Sequence, residues 1–149
     1  MLAEIDFAII CPVGFLQQIG VESVIVPCLA ARRVLIAEDE LLIALDLTEA
    51  FERAGARIIG PVSSIDGAMS LLQSEEEIHL GIVDLNLGGQ LAYPLAEALL
   101  RRGIPLLFST GYDVEEIPSE FRDVIRLAKP ATGDEAVARA ESLLMLWQN

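Results

Sequence analysis

The sequence predicts an α/β domain in which five parallel strands form one sheet with helices on both faces. Three observations predict it. Short apolar runs recur along residues 32–146 and alternate with amphipathic stretches of helical period. Gly and Pro punctuate the segments at Gly55, Gly60-Pro61, Gly88-Gly89 and Gly103. Four of the five apolar runs also lead into a charged or hydroxyl residue, as strands do when their ends carry chemistry.

Val34-Leu35-Ile36-Ala37 is short and apolar enough for a buried strand. Over residues 41–54, Leu41, Leu42, Leu45 and Phe51 oppose Asp46, Glu49, Glu52 and Arg53 at helical spacing, and Gly55 stops the helix. Arg57-Ile58-Ile59-Gly60 reads as a second strand, closed by Pro61. Ser64 suits the N-cap of a helix through Ala68, Met69, Leu71 and Leu72. Glu75-Glu76-Glu77 reads as a solvated turn. Leu80-Gly81-Ile82-Val83 is a third strand ending at Asp84, and Gly88-Gly89 leads into a helix over residues 91–102. Residues 104–108 form a fourth strand ending at Ser109-Thr110. Residues 114–121 make a weak helix at best, because Pro118 removes an amide donor. Residues 124–127 form a fifth strand ending at Ala128-Lys129-Pro130, and Asp134 suits the cap of a last helix through Leu146. Right-handed crossovers then favour the strand order 2-1-3-4-5, the flavodoxin-like arrangement.

Composition narrows the function. The 149 residues fit one domain, and 53% hydrophobic with 5% aromatic content implies a core of Leu, Ile, Val and Ala. A net charge of −13 argues against a nucleic-acid groove and against an anionic membrane surface as the main partner. It suits a protein that gathers a divalent cation or docks on a basic partner. Cys11 and Cys28 make no disulfide framework, and no Cys/His cluster suggests zinc. A reducing, cytoplasmic compartment is the default. His79, the single histidine, reads as a strand-entry residue without function. Residues 1–30 form an apolar appendage of unknown role, and residues 31–149 form the domain. The appendage is acidic where a secretory signal is basic, and polar residues interrupt it before it reaches membrane-spanning length.

Ligand sites in open parallel sheets form beyond the carboxyl ends of the strands. Glu38 and Asp39 follow strand one, Asp84 follows strand three, Thr110 strand four and Lys129 strand five. In the predicted order, strands one and three are neighbours, so three carboxylates crowd one crevice. Close carboxylates raise one another's pKa unless a cation intervenes, and Mg2+ prefers a few carboxylates plus water. The set fits phosphoryl transfer. Asp84 is the candidate nucleophile, with Mg2+ held by Glu38, Asp39, Asp84 and the carbonyl of Asn86. Thr110 is a hydroxyl donor and Lys129 a point positive charge. Each position has a blander reading: Asp39 as a helix cap, Asp84 as a turn residue, Thr110 as a loop hydroxyl, Lys129 as a surface charge. The case rests on five positions at four strand ends.

The same residues carry a resemblance. Val34-Leu35-Ile36-Ala37-Glu38-Asp39-Glu40 resembles the opening of response-regulator receiver domains, and Ile82-Val83-Asp84-Leu85-Asn86-Leu87 resembles their phospho-acceptor segment. Ser109-Thr110-Gly111 and Lys129-Pro130 match the later signatures in order and spacing, so the resemblance spans residues 32–145. It implies a phosphoryl group received on Asp84 from a histidine kinase or a histidine phosphotransfer protein, Mg2+ dependence and slow self-dephosphorylation. Arg126 stands where many receivers carry an aromatic that swings on activation, and Ala131 follows Pro130 where an aromatic is frequent. Phe108-Ser109-Thr110-Gly111-Tyr112 resembles a stand-alone subgroup with a Phe-Ala-Thr-Gly (FAT GUY) pattern that lacks the swinging aromatic. With no output domain after the last helix, signalling is expected through contacts with a downstream protein.

Two rivals remain. Haloacid-dehalogenase-like phosphatases use Asp-x-Asp after the first strand, whereas Asp84-Leu85-Asn86 follows the third and lacks the second Asp. A receiver-like scaffold that binds without phosphorylation would not need the complete set Asp39, Asp84, Thr110 and Lys129.

Overall fold

The computed structural model describes residues 28–75 and 77–147. The expected appendage therefore lies outside the described residues apart from its end, where Leu29 is fully buried against the domain. In chain order the elements are β1 (Arg33–Ala37), α1 (Leu41–Arg53), β2 (Arg57–Val62), α2 (Ile65–Ser74), β3 (Leu80–Asp84), β4 (Asn86–Leu87), β5 (Gln90–Leu91), α3 (Tyr93–Arg101), β6 (Leu106–Thr110), β7 (Ile125–Ala128) and α4 (Gly133–Trp147). Five of the strands form a parallel sheet in the order β2-β1-β3-β6-β7, which is the flavodoxin-like topology the sequence predicts.

The period of two along each strand divides the core into two layers. Leu35, Val83, Leu106 and Phe108 face α2 and α3, joining Ala68, Leu72, Leu95 and Leu99. Val34, Ile36, Leu80, Ile82 and Leu107 face α1 and α4, joining Leu47, Phe51, Ala136 and Ala140. β1, β3 and β6 are covered on both faces, which is why their sequences are nearly unbroken apolar runs. Among the described residues no helix is long and apolar enough to cross a membrane.

Several boundaries differ from expectation for local reasons. β2 does not close at Pro61 but continues through it to Val62, because β2 is an edge strand and its outer side needs no amide donor. The helix expected from residue 91 starts at Tyr93, with Pro94 in its first turn, and the preceding residues form the β4–β5 hairpin. Gly88 and Gly89 adopt φ of 60° and 83° at its tip. Asp134 does not cap α4. Thr132 does: its Oγ1 accepts from Glu135 N at 3.2 Å, and Glu135 Oε2 accepts from Thr132 N at 2.7 Å. The segment around Pro118 holds only two 3-10 turns, Val114–Glu116 and Ser119–Phe121.

The last of these elements positions Lys129. α4 packs against α1 so closely that a Cβ on Gly133 would meet Asp46 O at 2.6 Å and Ala50 Cβ at 2.7 Å. Gly133 N donates to Asp46 Oδ2 at 2.7 Å, tying the α4 N-terminus to α1. The β7–α4 connection, which carries Lys129, is thereby held over the end of the sheet.

Candidate functional site

β1, β3, β6 and β7 bring their carboxyl ends to one edge, with β3 between β1 and β6. Asp84 ends β3 and is buried; Thr110 ends β6 and is buried. Glu38 follows β1 and is buried although charged. Lys129 follows β7, and its backbone N donates to Thr110 O at 2.9 Å. An open cleft of about 600 Å³ lies above them.

The side chains converge on Asp84. Lys129 Nζ donates to Asp84 Oδ2 at 2.8 Å, and Asn86 N donates to Asp84 Oδ1 at 3.0 Å. Ligand oxygens of Glu38, Asp39 and Asp84 lie within 4.8 Å of one another. Asp39 is not a helix cap: Glu40 takes the N-cap position of α1, and Asp39 Oδ2 instead accepts from Gly88 N at 3.0 Å, pinning the hairpin loop. Glu38 Oε1 accepts from Glu40 N at 3.0 Å. Glu38 Oε2 lies 3.0 Å from Lys129 Nζ, yet off the hydrogen-bonding direction, so this buried oxygen has no donor among the described residues. Thr110 Oγ1 accepts from Tyr112 N at 3.0 Å, which leaves the hydroxyl hydrogen free to donate.

Electrostatics follow from burial. Removal from water pushes the Glu38 carboxyl above its ordinary range; the Glu40 N–H and Lys129 pull it back, and the charge of Asp84 adds to the rise. Repulsion between carboxylates is therefore the smaller cause, not the leading one the sequence suggested. Burial alone would lower the Lys129 ammonium, but the hydrogen bond to Asp84 and the close Glu38 carboxylate, with the charges of both, outweigh it and raise it.

The donor set fits a small hard cation. It is all oxygen, it is tightly grouped, and it includes a buried carboxylate oxygen without a hydrogen bond. Glu38, Asp39 and Asp84 would hold such an ion, and Asn86 lines the same cleft.

Every residue singled out from the sequence thus reaches one site: Glu38, Asp39, Asp84, Asn86, Thr110 and Lys129. Sequence reasoning missed three more. Glu40, with Oε1 3.8 Å from Lys129 Nζ, lines the cleft together with Tyr112 and Glu116. The acidic run at residues 38–40 carried a signal for Glu40; nothing local marked Glu116. Arg126 is half-buried on β7 opposite Phe108, and the nearby aromatic packing comes from elsewhere. Tyr93 stacks on Phe121 with centroids 5.0 Å apart, and Phe121 meets the edge of Phe108 at 6.3 Å.

Solved structures share this fold. The response regulator PhyR from Brucella abortus is 27% identical, with a TM-score of 0.68 over 78% of this chain and 49% of its own. A response regulator receiver protein from Sinorhizobium medicae WSM419 is 23% identical and has the same fold, with a TM-score of 0.67 over 78% of this chain and 97% of its own. SdrG from Sphingomonas melonis Fr1 is 38% identical over 77% of this chain and 97% of its own, with a TM-score of 0.66. The chain belongs to the response-regulator receiver family. SdrG from Pseudomonas melonis Fr1, in its BeF3-activated conformation, matches this receiver at 38% identity and a TM-score of 0.63, over 76% of this chain and 98% of its own. No protein-family model matches the receiver's sequence, and no curated protein does.

Proposed function

We propose that this receiver takes a phosphoryl group onto Asp84 from a histidine kinase or a histidine phosphotransfer protein, and signals through contacts with a downstream protein. The observation that carries the proposal is the setting of Asp84. It ends the central strand with Lys129 Nζ at 2.8 Å and two further carboxylates within 4.8 Å. An Asp84 oxygen forms the new P–O bond as the P–N bond of the donor phosphohistidine breaks, and the imidazole nitrogen leaves with the electron pair. The Lys129 ammonium orients the carboxylate and offsets charge on the incoming group. The Thr110 hydroxyl has its hydrogen available for a phosphoryl oxygen. Mg2+, bound by Glu38, Asp39, Asp84 and the Asn86 carbonyl, would neutralise charge on the phosphoryl oxygens.

The BeF3-activated conformation of SdrG supports this reading, because beryllofluoride stands in for a phosphoryl group on an acceptor carboxylate. The run Phe108-Ser109-Thr110-Gly111-Tyr112, with Arg126 in place of an aromatic, supports a place in the Phe-Ala-Thr-Gly subgroup of stand-alone receivers. The chemistry is self-phosphorylation and self-dephosphorylation rather than turnover of a phosphate monoester, since Asp84-Leu85-Asn86 lacks a second Asp. A cytoplasmic setting suits a kinase partner and the sparse cysteines.

Acetyl phosphate with Mg2+ is expected to add one phosphoryl group to the protein by intact mass, to add none to Asp84→Asn, and to add little when EDTA is present. Equal labelling of the two proteins would overturn the assignment.

A further inference from the structure

Beside the acceptor cleft, α3 and the turn Ser119–Phe121 enclose a second open cleft of about 640 Å³. Its floor is apolar, made by Tyr93, Pro94, Leu100 and Phe121, with the stacked Tyr93 and Phe121 rings as a flat centre. Its rim is acidic. Glu97 and Glu120 line it, and Arg101, the one cation that lines it among the described residues, is paired with Glu97. Burial raises the Tyr93 phenol, and Tyr112, Glu116 and Glu120 add to the rise, so the hydroxyl stays a neutral donor in acidic surroundings.

We propose that this cleft docks a basic segment of a partner protein and that phosphorylation at Asp84 tightens the docking. The partner lays an apolar side chain on Tyr93 and Phe121 and sets Lys or Arg against Glu120 and against Glu97, which it shares with the exposed Arg101. Charge selects this occupant. A protein of net charge −13 whose cleft cation is already paired repels acidic peptides and anionic surfaces. An aromatic floor accepts both apolar and cationic side chains.

The coupling rests on the acceptor reading above. Phe108 lies two residues before Thr110 on the same face of β6, and its ring meets Phe121 in the cleft floor. Glu116 serves both clefts: it lines the acceptor site and its charge reaches Tyr93. Glu116 Oε2 accepts from Asp113 N at 2.8 Å, and added negative charge at Asp84 works against that placement and favours a turn of the carboxylate toward Tyr93 and a cationic partner. By linkage, the partner in turn stabilises the phosphorylated form.

The test is calorimetric titration of the whole protein with a synthetic Leu/Lys amphipathic peptide and with its Leu/Glu counterpart. The Leu/Lys peptide binds and the Leu/Glu peptide does not. Glu97→Lys with Glu120→Lys weakens binding about tenfold, whereas the same charge change at exposed Glu49 and Glu52 on α1 weakens it less than about twofold. Loading with BeF3 and Mg2+ tightens binding at least about threefold, and Asp84→Asn removes that gain. Equal weakening by the two double variants shows general charge attraction and overturns the cleft assignment. A fluorine NMR signal for the BeF3 adduct with unchanged peptide affinity overturns the coupling while the acceptor reading stands. Absence of the adduct signal overturns the acceptor reading and the coupling with it.

Discussion

The two ends of the sheet are both rich in charge and treat it in opposite ways. At the amino ends of the strands, His79 Nδ1 accepts from Arg33 N at 2.9 Å, and His79 N donates to Arg33 O at 2.9 Å. Arg33 Nε donates to Glu77 O at 2.8 Å and its guanidinium pairs with Glu75. Arg102 reaches over to the carbonyls of Leu72 and Glu75, closing the C-terminal end of α2. Donors there meet acceptors, and the result clamps β1 to β3 and α3 to α2. At the carboxyl ends, Lys129 is the one cation among the described residues that pairs with Glu38, Glu40 and Asp84, and among them a buried Glu38 oxygen goes without a donor. Satisfied charge at one end stabilises the fold. Unsatisfied charge at the other end suits the cation and the phosphoryl group proposed for the site.

Removing Lys129 breaks the contrast most severely. Lys129→Met leaves two buried carboxylates without their ammonium, and breaking a buried pair by deleting one partner costs about 3 kcal/mol. Arg33→Met at the opposite end, where the side chains are about one-third exposed, costs under about 1 kcal/mol. Urea unfolding in EDTA measures both. Adding Mg2+ narrows the deficit of the Lys129 variant relative to the parent and leaves that of the Arg33 variant unchanged, because Arg33→Met keeps the whole carboxylate set and gains from the ion as the parent does. A Lys129→Met deficit that Mg2+ does not touch would mean the loss comes from packing rather than from stranded acids.

The same contrast explains what the sequence made legible. Buried parallel strands are continuous apolar runs, so a charge at the end of one stands out, and Glu38, Asp84, Thr110 and Lys129 could be read directly. Their gathering followed from strand order. The start of α3 was obscured because Asn86–Leu87 and Gln90–Leu91 pair as a hairpin too short to leave a period, though Pro94 marked the true first turn. Thr132 with Glu135 spelled a capping box that Asp134 masked. Nothing local announced the Tyr93–Phe121–Phe108 packing, because it joins residues brought together only by the crossovers.

The amino end can be probed by acid. Burial, and then the charge of Arg32, lower the His79 imidazole below its ordinary 6.5. A lowered folded value means the unfolded chain binds the proton more readily. The stabilisation is therefore complete above 6.5 and is lost as pH falls from there through the folded value. Protonation removes the acceptor for Arg33 N–H, a bond worth about 1 kcal/mol. His79→Asn, which can still accept but does not titrate, is expected to flatten the fall in unfolding free energy between about pH 7 and about pH 5. An unchanged slope in the variant would place the acid sensitivity elsewhere.

The smallest effect is the sharpest probe of the carboxyl end, because its sign runs against the usual loss on mutation. Burial raises the Glu38 carboxyl, so the folded state holds that proton more tightly than the unfolded chain does. Its favourable contribution is full below the unfolded value of 4.5 and is lost as pH rises through the folded value. At neutral pH without metal, burying the Glu38 carboxyl therefore works against the fold, an effect only partly relieved by Lys129. Glu38→Gln is nearly isosteric and carries no charge. In EDTA at neutral pH its unfolding midpoint should lie modestly above that of the parent. The gain should vanish on acidification below 4.5, where the parent is protonated too. Mg2+ should reverse the ranking, because only the parent offers the ion a third carboxylate. A variant less stable than the parent in EDTA at neutral pH would show that the Glu38–Lys129 contact outweighs the burial of the charge, and that the two ends of the sheet are alike after all.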